Sequence, residues 1–199
     1  MTRGVHGGQR AATAGEMGQS VHVRNVLKTQ NHVQGEVGEM ILEEAKCIAD
    51  DVKAQLAPHC ERIEIAGSIR RQKAEVGDIE IVAIPKPYDI GLFASGIAPV
   101  VEAWKKVKGE LPCKYTQRIL PCGMKLDLFF ARPDNWGLIY AIRTGSADYS
   151  HKVLATGWVR NGFHSIDGML WRNCREFPTP EEEDLFRLCG VPWIDPSAR

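Results

Sequence analysis

Two apolar periods alternate along the first half of the chain. A helical period stops at Pro58 and includes Val37, Ile41, Ala45, Ile48, Val52 and Leu56. The stretches RIEIAG (62–67) and DIEIVAIP (78–85) alternate β-branched and polar residues, which predicts strands. IAPVVEAWKKVKG (97–109) predicts a helix. CKYTQRILPCGMKLDLFFA (113–131) predicts a hairpin, because Pro-Cys-Gly interrupts two strand-like runs.

After Pro133 the pattern becomes mainly helical. NWGLIYAIRTG and SADYSHKVLATGWVRNG predict two helices, each closing at a glycine. FHSIDGMLWRN predicts a second hairpin with an Asp-Gly turn. A last helix is indicated by TPEEEDLFRLCG, with Thr179 as N-cap, Pro180 as the first helical residue and acids in the first turn.

These patterns divide the chain into three parts. Residues 1–35 are rich in Gly, Gln, His and small residues and lack an apolar period, which predicts a flexible arm. Residues 36–132 predict an α/β unit, and residues 133–199 a smaller α+β unit. The fold class is therefore predicted as α+β, with a mixed β-sheet flanked by helices and a small C-terminal subdomain.

Hydropathy and cysteine spacing argue against several classes of protein. The sequence has no apolar run of membrane length, and its first residues lack the apolar stretch of a secretory signal. We therefore expect a cytoplasmic protein without a membrane partner. The cysteines are scattered without a C-x-x-C pair, which favours reduced thiols over a zinc site or a disulfide framework. They are Cys47, Cys60, Cys113, Cys122, Cys174 and Cys189.

Charge is sorted along the chain, although the formal net charge is zero. Residues 101–175 contain 12 Lys and Arg against 6 Asp and Glu, whereas residues 176–199 contain 2 against 6. A net charge of zero argues against a nucleic-acid partner, but this sorting is compatible with one basic face. A solvated surface of mixed charge explains the same counts equally well.

Acidic residues alternate with apolar ones on two predicted strands. Residues two apart on a strand face the same side, so Asp78 and Glu80 project together, and Asp127 is placed in the same way on another strand. If these strands are neighbours, three carboxylates converge. Oxygen ligands of this kind suit Mg²⁺ or Mn²⁺ and serve phosphoryl transfer. The alternative is that the alternation only keeps a half-exposed strand soluble.

Phosphate-binding residue types precede the first two acids. Gly67-Ser68 follows a predicted strand, where glycine lets backbone N–H groups approach a phosphate and the hydroxyl adds a donor. Arg70 and Arg71 come next, and the guanidinium fork matches phosphate oxygens. Phosphate donors followed by Gly77-Asp78-x-Glu80 form an ordered set that is more specific than either part alone.

These motifs resemble those of the X-family DNA polymerases, the polymerase beta-like members of the nucleotidyltransferase superfamily. The resemblance covers residues 36–199 and rests on GSIRR, GDIEI, MKLDLFF, RTGSADYS and the closing TPEEEDLFRLCGVPWIDPSAR. It implies that residues 36–132 form a nucleotidyltransferase palm and residues 133–199 a nucleotide-selecting subdomain. It also implies a minimal enzyme that lacks the lyase and helix-hairpin-helix modules of longer relatives.

The resemblance implies a role for each matching residue. Asp78, Glu80 and Asp127 would be the catalytic ligands of two Mg²⁺ ions, with Mn²⁺ as the alternative ion. The nucleotide-binding residues would be Gly67, Ser68, Arg71 and Gly77 at the phosphates, and Thr144, Gly145 and Ser146 beside the sugar and base. Lys125 would approach the primer terminus, and Arg143 and Lys152 are further DNA-binding candidates, with a solvated helix face as the alternative for Lys152.

The sequence departs from the family pattern at several of these positions. Glu80 stands where the family has a second aspartate, and Ile142-Arg143 stand where polymerase beta has an aromatic pair that screens the sugar. Ser150 and Leu154 replace an asparagine at the base edge and an arginine on the template side. These departures concern metal geometry, sugar choice and template fidelity.

The resemblance implies a monomeric DNA polymerase that adds a deoxynucleotide from dNTP to a primer 3′-hydroxyl and releases pyrophosphate. Gap-filling or repair synthesis on a DNA primer-template is the expected role. One alternative keeps the chemistry but uses no template or another acceptor, such as RNA, protein or a small molecule. The second alternative is a non-catalytic nucleic-acid-binding accessory, which would predict a degraded set of acids.

Overall fold

The computed structural model describes residues 39–87 and 96–199. The arm predicted over residues 1–35 lies outside the described residues, as does the start of the predicted first helix. None of the helices in the two described ranges combines the length and apolarity needed to cross a membrane.

The first half of the chain contains the predicted strands and hairpin and most of the predicted first helix, together with short elements that the sequence did not predict; Ile41 lies in one of these, a short strand before the helix. The elements are β1 (Met40–Ile41), α1 (Leu42–Leu56), β2 (Cys60–Ile65), α2 (Gly67–Arg70), β3 (Glu75–Val76), β4 (Asp78–Pro85), α3 (Ile97–Glu102), β5 (Lys105–Lys108), β6 (Tyr115–Ile119) and β7 (Lys125–Phe130). A short 3₁₀ turn, Ala57–His59, joins α1 to β2.

The second half is mainly helical around a small sheet. Its elements are α4 (Trp136–Thr144), α5 (Ala147–Tyr149), a π-helical turn (Ser150–Ala155), α6 (Thr156–Arg160), β8 (His164–Ile166), β9 (Met169–Arg172), β10 (Arg175–Phe177), α7 (Glu182–Cys189) and a 3₁₀ turn (Pro196–Ala198). The predicted hairpin with an Asp-Gly turn is confirmed as β8 and β9, and β10 extends it to three antiparallel strands.

Five strands from the first half of the chain form a mixed β-sheet. Within the described residues its strand order is β2-β4-β7-β6-β5, in which β4 and β7 are parallel and the other neighbours antiparallel. The expectation of an α+β fold with a mixed sheet flanked by helices is therefore confirmed. The hairpin predicted over residues 113–131 is confirmed as β6 and β7.

One face of this sheet is buried under α1 and α3. Alternate strand residues, among them Ile79, Ile81, Leu126 and Leu128, are fully buried there. Helix α1 contributes its apolar stripe, Ala45, Ala49, Val52 and Leu56. Burial of each large aliphatic side chain stabilises the fold by about 1.5–3 kcal/mol, so this face carries much of the stability.

The opposite face of the sheet is covered over only part of its area. Helix α4 packs its fully buried Trp136 against Val82, Phe129 and Ala131. Trp136 also stacks under the guanidinium of Arg62, 4.3 Å from the ring centroid. The strand ends that carry the acidic residues lie beyond this helix. The uncovered part of the face is therefore the place where a site can form.

The predicted helix over residues 97–109 is wrong in its second half. Helix α3 ends at Glu102, and Lys105–Lys108 instead forms β5, antiparallel to β6. All four residues of β5 are exposed, so no apolar face favours a helix at this position. Pairing with the next strand of the chain therefore decides its structure over local propensity.

The predicted start of the last helix is also wrong. Helix α7 begins at Glu182 with Glu181 as its N-cap, and Glu181 and Asp184 form a reciprocal capping box. Thr179 is buried, and its backbone N–H donates to the carbonyl of Asp134. Thr179 therefore anchors the chain against the segment before α4 instead of capping α7.

Candidate active site

The acidic residues of β4 and β7 lie on one face of two neighbouring parallel strands. In the strand register Asp78 is opposite Lys125, and Glu80 is opposite Asp127. Their sequence neighbours Ile79 and Leu126 are paired in the same register and are fully buried on the other face. The two strands that carry the acids are therefore neighbours, which the sequence analysis gave as the requirement for the three carboxylates to converge.

Asp127 is oriented by two side chains of the next strand. The hydroxyl of Tyr115 and the amide Nε2 of Gln117 donate to its Oδ1, at 2.9 Å and 2.8 Å. Burial, followed by this hydrogen bond, raises the pKa of Tyr115 to about 12, so the hydroxyl stays protonated and donates. Sequence reasoning missed both residues, although the alternation in YTQRI places them on the face of Asp127.

The close packing of the acids raises two of their pKa values. Burial raises the pKa of Glu80 to about 7, and the charges of Asp78 and Asp127 add to this effect. Burial and the charge of Asp127 also raise the pKa of Asp78, against the opposing effects of Lys125 and Arg71. Carboxylates in this situation are stabilised by a cation placed among them.

The donor set fits a hard divalent cation in chemistry. Carboxylate oxygens on two paired strands are the ligands that Mg²⁺ and Mn²⁺ prefer. No residue of the described ranges donates a hydrogen bond to the carboxylates of Asp78 and Glu80, and only Oδ1 of Asp127 is engaged. Across residues 39–87 and 96–199, however, no three His, Cys, Asp or Glu side chains are placed so that they could hold a metal ion together. Binding a metal ion would therefore require the three carboxylates to turn toward a common point.

The Gly67-Ser68 turn lies directly against Glu80. Gly67 has a φ of +62°, and a Cβ at this position would collide with the carboxylate of Glu80. The backbone conformation therefore favours glycine, and any side chain at this position would displace the Glu80 carboxylate. Gly77, by contrast, is exposed, and a Cβ added there would meet nothing within 4 Å.

Two predicted phosphate donors have unused hydrogen-bonding capacity. In the part of the chain that the structure describes, the buried Ser68 Oγ and Arg71 Nε have no hydrogen-bond partner. Buried polar atoms are normally paired, because leaving one unpaired costs about 1–3 kcal/mol. Each atom could therefore donate to an anion, but both atoms are covered in this structure, so neighbouring side chains would have to move for the anion to reach them.

The Thr144-Gly145-Ser146 segment is fastened to the two arginines. Arg70 Nη1 donates to Thr144 Oγ1 at 2.6 Å, and Arg71 Nη1 donates to the Thr144 carbonyl at 2.7 Å. Ser146 caps α5, since its Oγ accepts from the backbone N–H of Tyr149 at 3.2 Å. The structure thus brings together two motifs that lie more than 70 positions apart in the sequence.

The three predicted DNA-binding cations have different surroundings. Lys125 is exposed beside the acids, and Arg143 stacks over the ring of Phe129 at 4.0 Å from its centroid. The charge of Arg143 also acts on Glu80, where it opposes the rise in pKa that burial and the neighbouring acids cause. Lys152 lies elsewhere, where it forms an exposed ion pair with Asp148 one helical turn away.

A second buried carboxylate, Glu182, lies at the start of α7 and joins the two halves of the chain. Arg70 binds it through both terminal nitrogens, at 2.8 Å and 2.7 Å, and Arg199 Nη1 binds it at 2.7 Å. Burial opposes ionisation of Glu182, but the hydrogen bonds from the two arginines outweigh it and lower the pKa. Sequence reasoning missed this cluster, because the acidic run EEED is equally typical of an ordinary helix start.

No protein-family model matches this chain, and no curated protein matches it by sequence. A function must therefore be inferred from the geometry and chemistry of the described residues.

Proposed function

We propose that the chain is a metal-dependent DNA nucleotidyltransferase that adds a nucleotide from dNTP to the 3′-hydroxyl of a DNA strand. The observation that carries the proposal is the placement of Glu80 opposite Asp127, with Asp78 beside them and unpaired donors of Ser68 and Arg71 adjoining. A carboxylate group next to unused phosphate donors suits a substrate that carries both metal ions and phosphates.

Asp78, Glu80 and Asp127 are the residues that would hold the metal ions. Bound Mg²⁺ or Mn²⁺ would lower the pKa of the attacking hydroxyl and stabilise charge on the leaving oxygen. Tyr115 and Gln117 hold Asp127 through one oxygen and leave the other without a hydrogen bond from the described residues. They therefore fix a ligand carboxylate while keeping one of its oxygens available.

Ser68 and Arg71 would bind the triphosphate of the incoming nucleotide. Their buried donors face no described partner, and Arg71 is already positioned by its hydrogen bond to the Thr144 carbonyl. In the reaction, the acceptor hydroxyl oxygen bonds to the α-phosphorus, and the bond from this phosphorus to the bridging α–β oxygen breaks. Pyrophosphate leaves, and the hydroxyl proton passes to solvent.

Lysines on the acidic face favour a polyanionic acceptor. In the strand register Lys105 is opposite Ile119 and Lys108 is opposite Gln117, so both lysines share the face of Asp127. Neither has a carboxylate partner within the described ranges. Lys106 between them belongs to the other face and pairs with Glu110. A nucleic-acid backbone along β5 would meet the two unpaired lysines.

The test is primer extension on a duplex with a one-nucleotide gap. Each dNTP and each rNTP is offered singly with Mg²⁺, alongside the same primer without template. Incorporation of only the complementary dNTP is the expected result. Addition without template would instead establish a terminal transferase, and no addition to any DNA would overturn the proposal.

The lysine surface supplies a matched pair of variants for the acceptor. Lys108→Glu should weaken duplex binding and reduce the slope of log affinity against log salt by about one, because one phosphate is no longer neutralised. Lys106→Glu changes the same strand on the opposite face and should leave binding near the wild-type value. Equal reductions of affinity in both proteins would argue against an acceptor lying on the acidic face.

A further inference from the structure

A groove in the C-terminal part of the chain has no role in the proposed reaction. It lies between residues 152–161 and the end of α7, and its volume is about 420 Å³. Gly157 and Cys189 are buried at its base. The two helices touch there, since a Cβ at Gly157 would lie 2.9 Å from the Cβ of Cys189. The groove therefore belongs to the packed part of the fold.

Aliphatic side chains line the groove. Val153 on one wall and Val191 on the other are both half-buried. None of the described residues that line the groove is aromatic, so a nucleobase would find no ring on which to stack. An aliphatic side chain of a partner would instead be removed from water between the two valines, which favours binding. The groove therefore suits an aliphatic side chain better than a base.

Two cations lie at the rim of the groove. Lys152 and Arg160 both line it and are exposed, and the helical rise places them about 12 Å apart along the axis. Arg160 makes no ion pair within residues 39–87 and 96–199. Lys152 pairs with Asp148, but the two side chains are 69% and 80% exposed. Such a pair contributes little, so another carboxylate can replace Asp148 at small cost.

The basic surface continues from the groove onto the small sheet. Arg172 Nη1 donates to the carbonyl of Asn161, the residue after Arg160, at 3.3 Å. Arg175 is directly opposite Arg172 in the strand register, and neither has a carboxylate partner in the part of the chain that the structure describes. Like charges directly opposite each other on paired strands destabilise the pairing. An anion bound between the two arginines would remove this repulsion.

This surface lies at the end of the small sheet that points away from α4. Gly168, just before β9, packs against Ile139 of α4, the helix that covers part of the five-stranded sheet. Arg172 is at the other end of β9, and the ends of so short a strand are about 10 Å apart. A partner can therefore reach the groove without entering the acidic site.

We propose that this groove and the arginines beside it bind an acidic segment of a partner protein. An aliphatic side chain of the segment lies between Val153 and Val191. Its carboxylates pair with Arg160, Arg172 and Arg175. Charge complementarity selects the partner, because these arginines belong to the 12 Lys and Arg of residues 101–175 and have no part in the proposed reaction. The inference therefore goes beyond the proposed function and does not depend on it.

The test follows amide chemical shifts in nuclear magnetic resonance spectra of the full chain. Two synthetic peptides are added in turn, Glu-Glu-Leu-Glu-Glu and Glu-Glu-Ser-Glu-Glu, without nucleotide or divalent metal ion. The leucine peptide should shift the amides of residues that line the groove, namely Val153, Gly157, Asn161 and Gly190. The serine peptide should bind about tenfold more weakly, because it buries no aliphatic side chain. No shift at these amides, or equal binding of the two peptides, would overturn the inference.

A pair of charge reversals tests the role of the arginines. Arg160→Glu changes an exposed side chain and should weaken binding of the leucine peptide about tenfold. Lys46→Glu makes the same change of charge at an exposed position of α1, which packs on the five-stranded sheet, and should alter the affinity less than about twofold. Equal weakening in the two variants would overturn the inference, because net charge alone would then explain the binding.

Two other occupants of the groove give different outcomes. A stronger response of the groove amides to an oligothymidylate than to the leucine peptide would assign the surface to nucleic acid and overturn the inference. Shifts of the same amides with protein concentration, in the absence of peptide, would assign it to a second copy of the chain and would also overturn it. Failure of the chain to transfer any nucleotide would overturn the proposed function alone, because peptide binding is measured without a reaction.

Discussion

Glu80 and Glu182 are two buried carboxylates with opposite surroundings. Glu80 lies among Asp78 and Asp127, and burial together with these charges raises its pKa to about 7. Glu182 is held by three hydrogen bonds of 2.8 Å or less from Arg70 and Arg199, which lower its pKa despite burial. The same side chain is thus unsatisfied at one place and saturated at the other.

This difference separates a binding site from a structural one. A carboxylate surrounded by other carboxylates destabilises the folded chain, and this destabilisation is relieved only when a cation binds among them. A carboxylate bound by arginines from distant elements is complete in the folded chain and offers nothing to a ligand. Substitutions at the two places should therefore change the free energy of unfolding in opposite directions, and only those among the acids should change catalysis directly.

The largest effect is expected on catalysis at Asp127. Asp127→Ala removes a proposed metal ligand on the open face of the sheet, and should slow the proposed nucleotide transfer by at least about a thousandfold. Its melting temperature should stay near the wild-type value. Asp50→Ala removes an exposed acid of α1, which packs on the other face of the sheet, and is the control. Transfer near the wild-type rate in Asp127→Ala would contradict the metal assignment.

The next effect is on stability at Glu182. Glu182→Gln leaves two largely buried guanidinium groups without a counter-charge and should lower the free energy of unfolding by about 3–5 kcal/mol. Urea denaturation measures this difference. Glu183→Gln changes the exposed neighbour on the same helix and should be nearly neutral. Similar destabilisation of the two variants would show that helix charge, and not the buried cluster, is responsible.

Part of that stability should depend on pH. The titratable and charged groups around Glu182 are Arg70, Arg199, Tyr140 and Tyr149. Because the folded-state pKa of Glu182 lies below its ordinary value of 4.5, its contribution is complete above pH 4.5 and is lost as the pH falls through the folded-state pKa. The stability difference between wild type and Glu182→Gln should therefore shrink below about pH 4.5. A difference that stays constant down to pH 3 would contradict this.

The opposite sign is expected at Glu80. Glu80→Gln removes a charge that is buried among carboxylates, and should raise the free energy of unfolding by about 1–3 kcal/mol at pH 8 without divalent metal. Thermal unfolding in the presence of a chelator measures the change. Adding Mg²⁺ should stabilise the wild-type chain and have less effect on the variant. Destabilisation by Glu80→Gln in chelator would remove the contrast with Glu182.

The smallest effect on stability is expected at Ser68. Its buried hydroxyl has no described partner, so Ser68→Ala removes an unpaired polar atom and should raise the free energy of unfolding by about 1 kcal/mol. The variant should still raise the apparent KM for dNTP about tenfold, since a hydroxyl donor to phosphate is removed. An unchanged KM would argue against a phosphate at Ser68.

The sequence predicted the parts of this site that depend on local pattern. A two-residue period placed Asp78 and Glu80 on one face, and the hairpin around Pro121 placed Asp127 on the neighbouring run. Pattern alone could not show that β4 and β7 are adjacent, since adjacency of parallel strands is set by the whole fold. It also missed β5, where pairing with β6 outweighs the helical appearance of the segment.

Long-range partners explain what else escaped prediction. Tyr115 and Gln117 orient Asp127 only because the β6–β7 register places them opposite or beside it. Glu182 lies more than 100 positions from Arg70, and nothing in the run EEED distinguishes it from its exposed neighbours. Residues that complete a site from other elements carry no local sequence signal.

The parallel pairing of β4 and β7 also bears on the order of folding. The β6–β7 hairpin closes over a short turn, whereas β4 can join β7 only after the long intervening connection has been folded back. Because local contacts form faster than distant ones, we expect Asp127 to be placed on its hairpin before Asp78 and Glu80 reach it. The pairing that then brings the mutually repelling carboxylates together also buries Ile79 and Leu126 on the other face, so the repulsion and the core that outweighs it arise in one step.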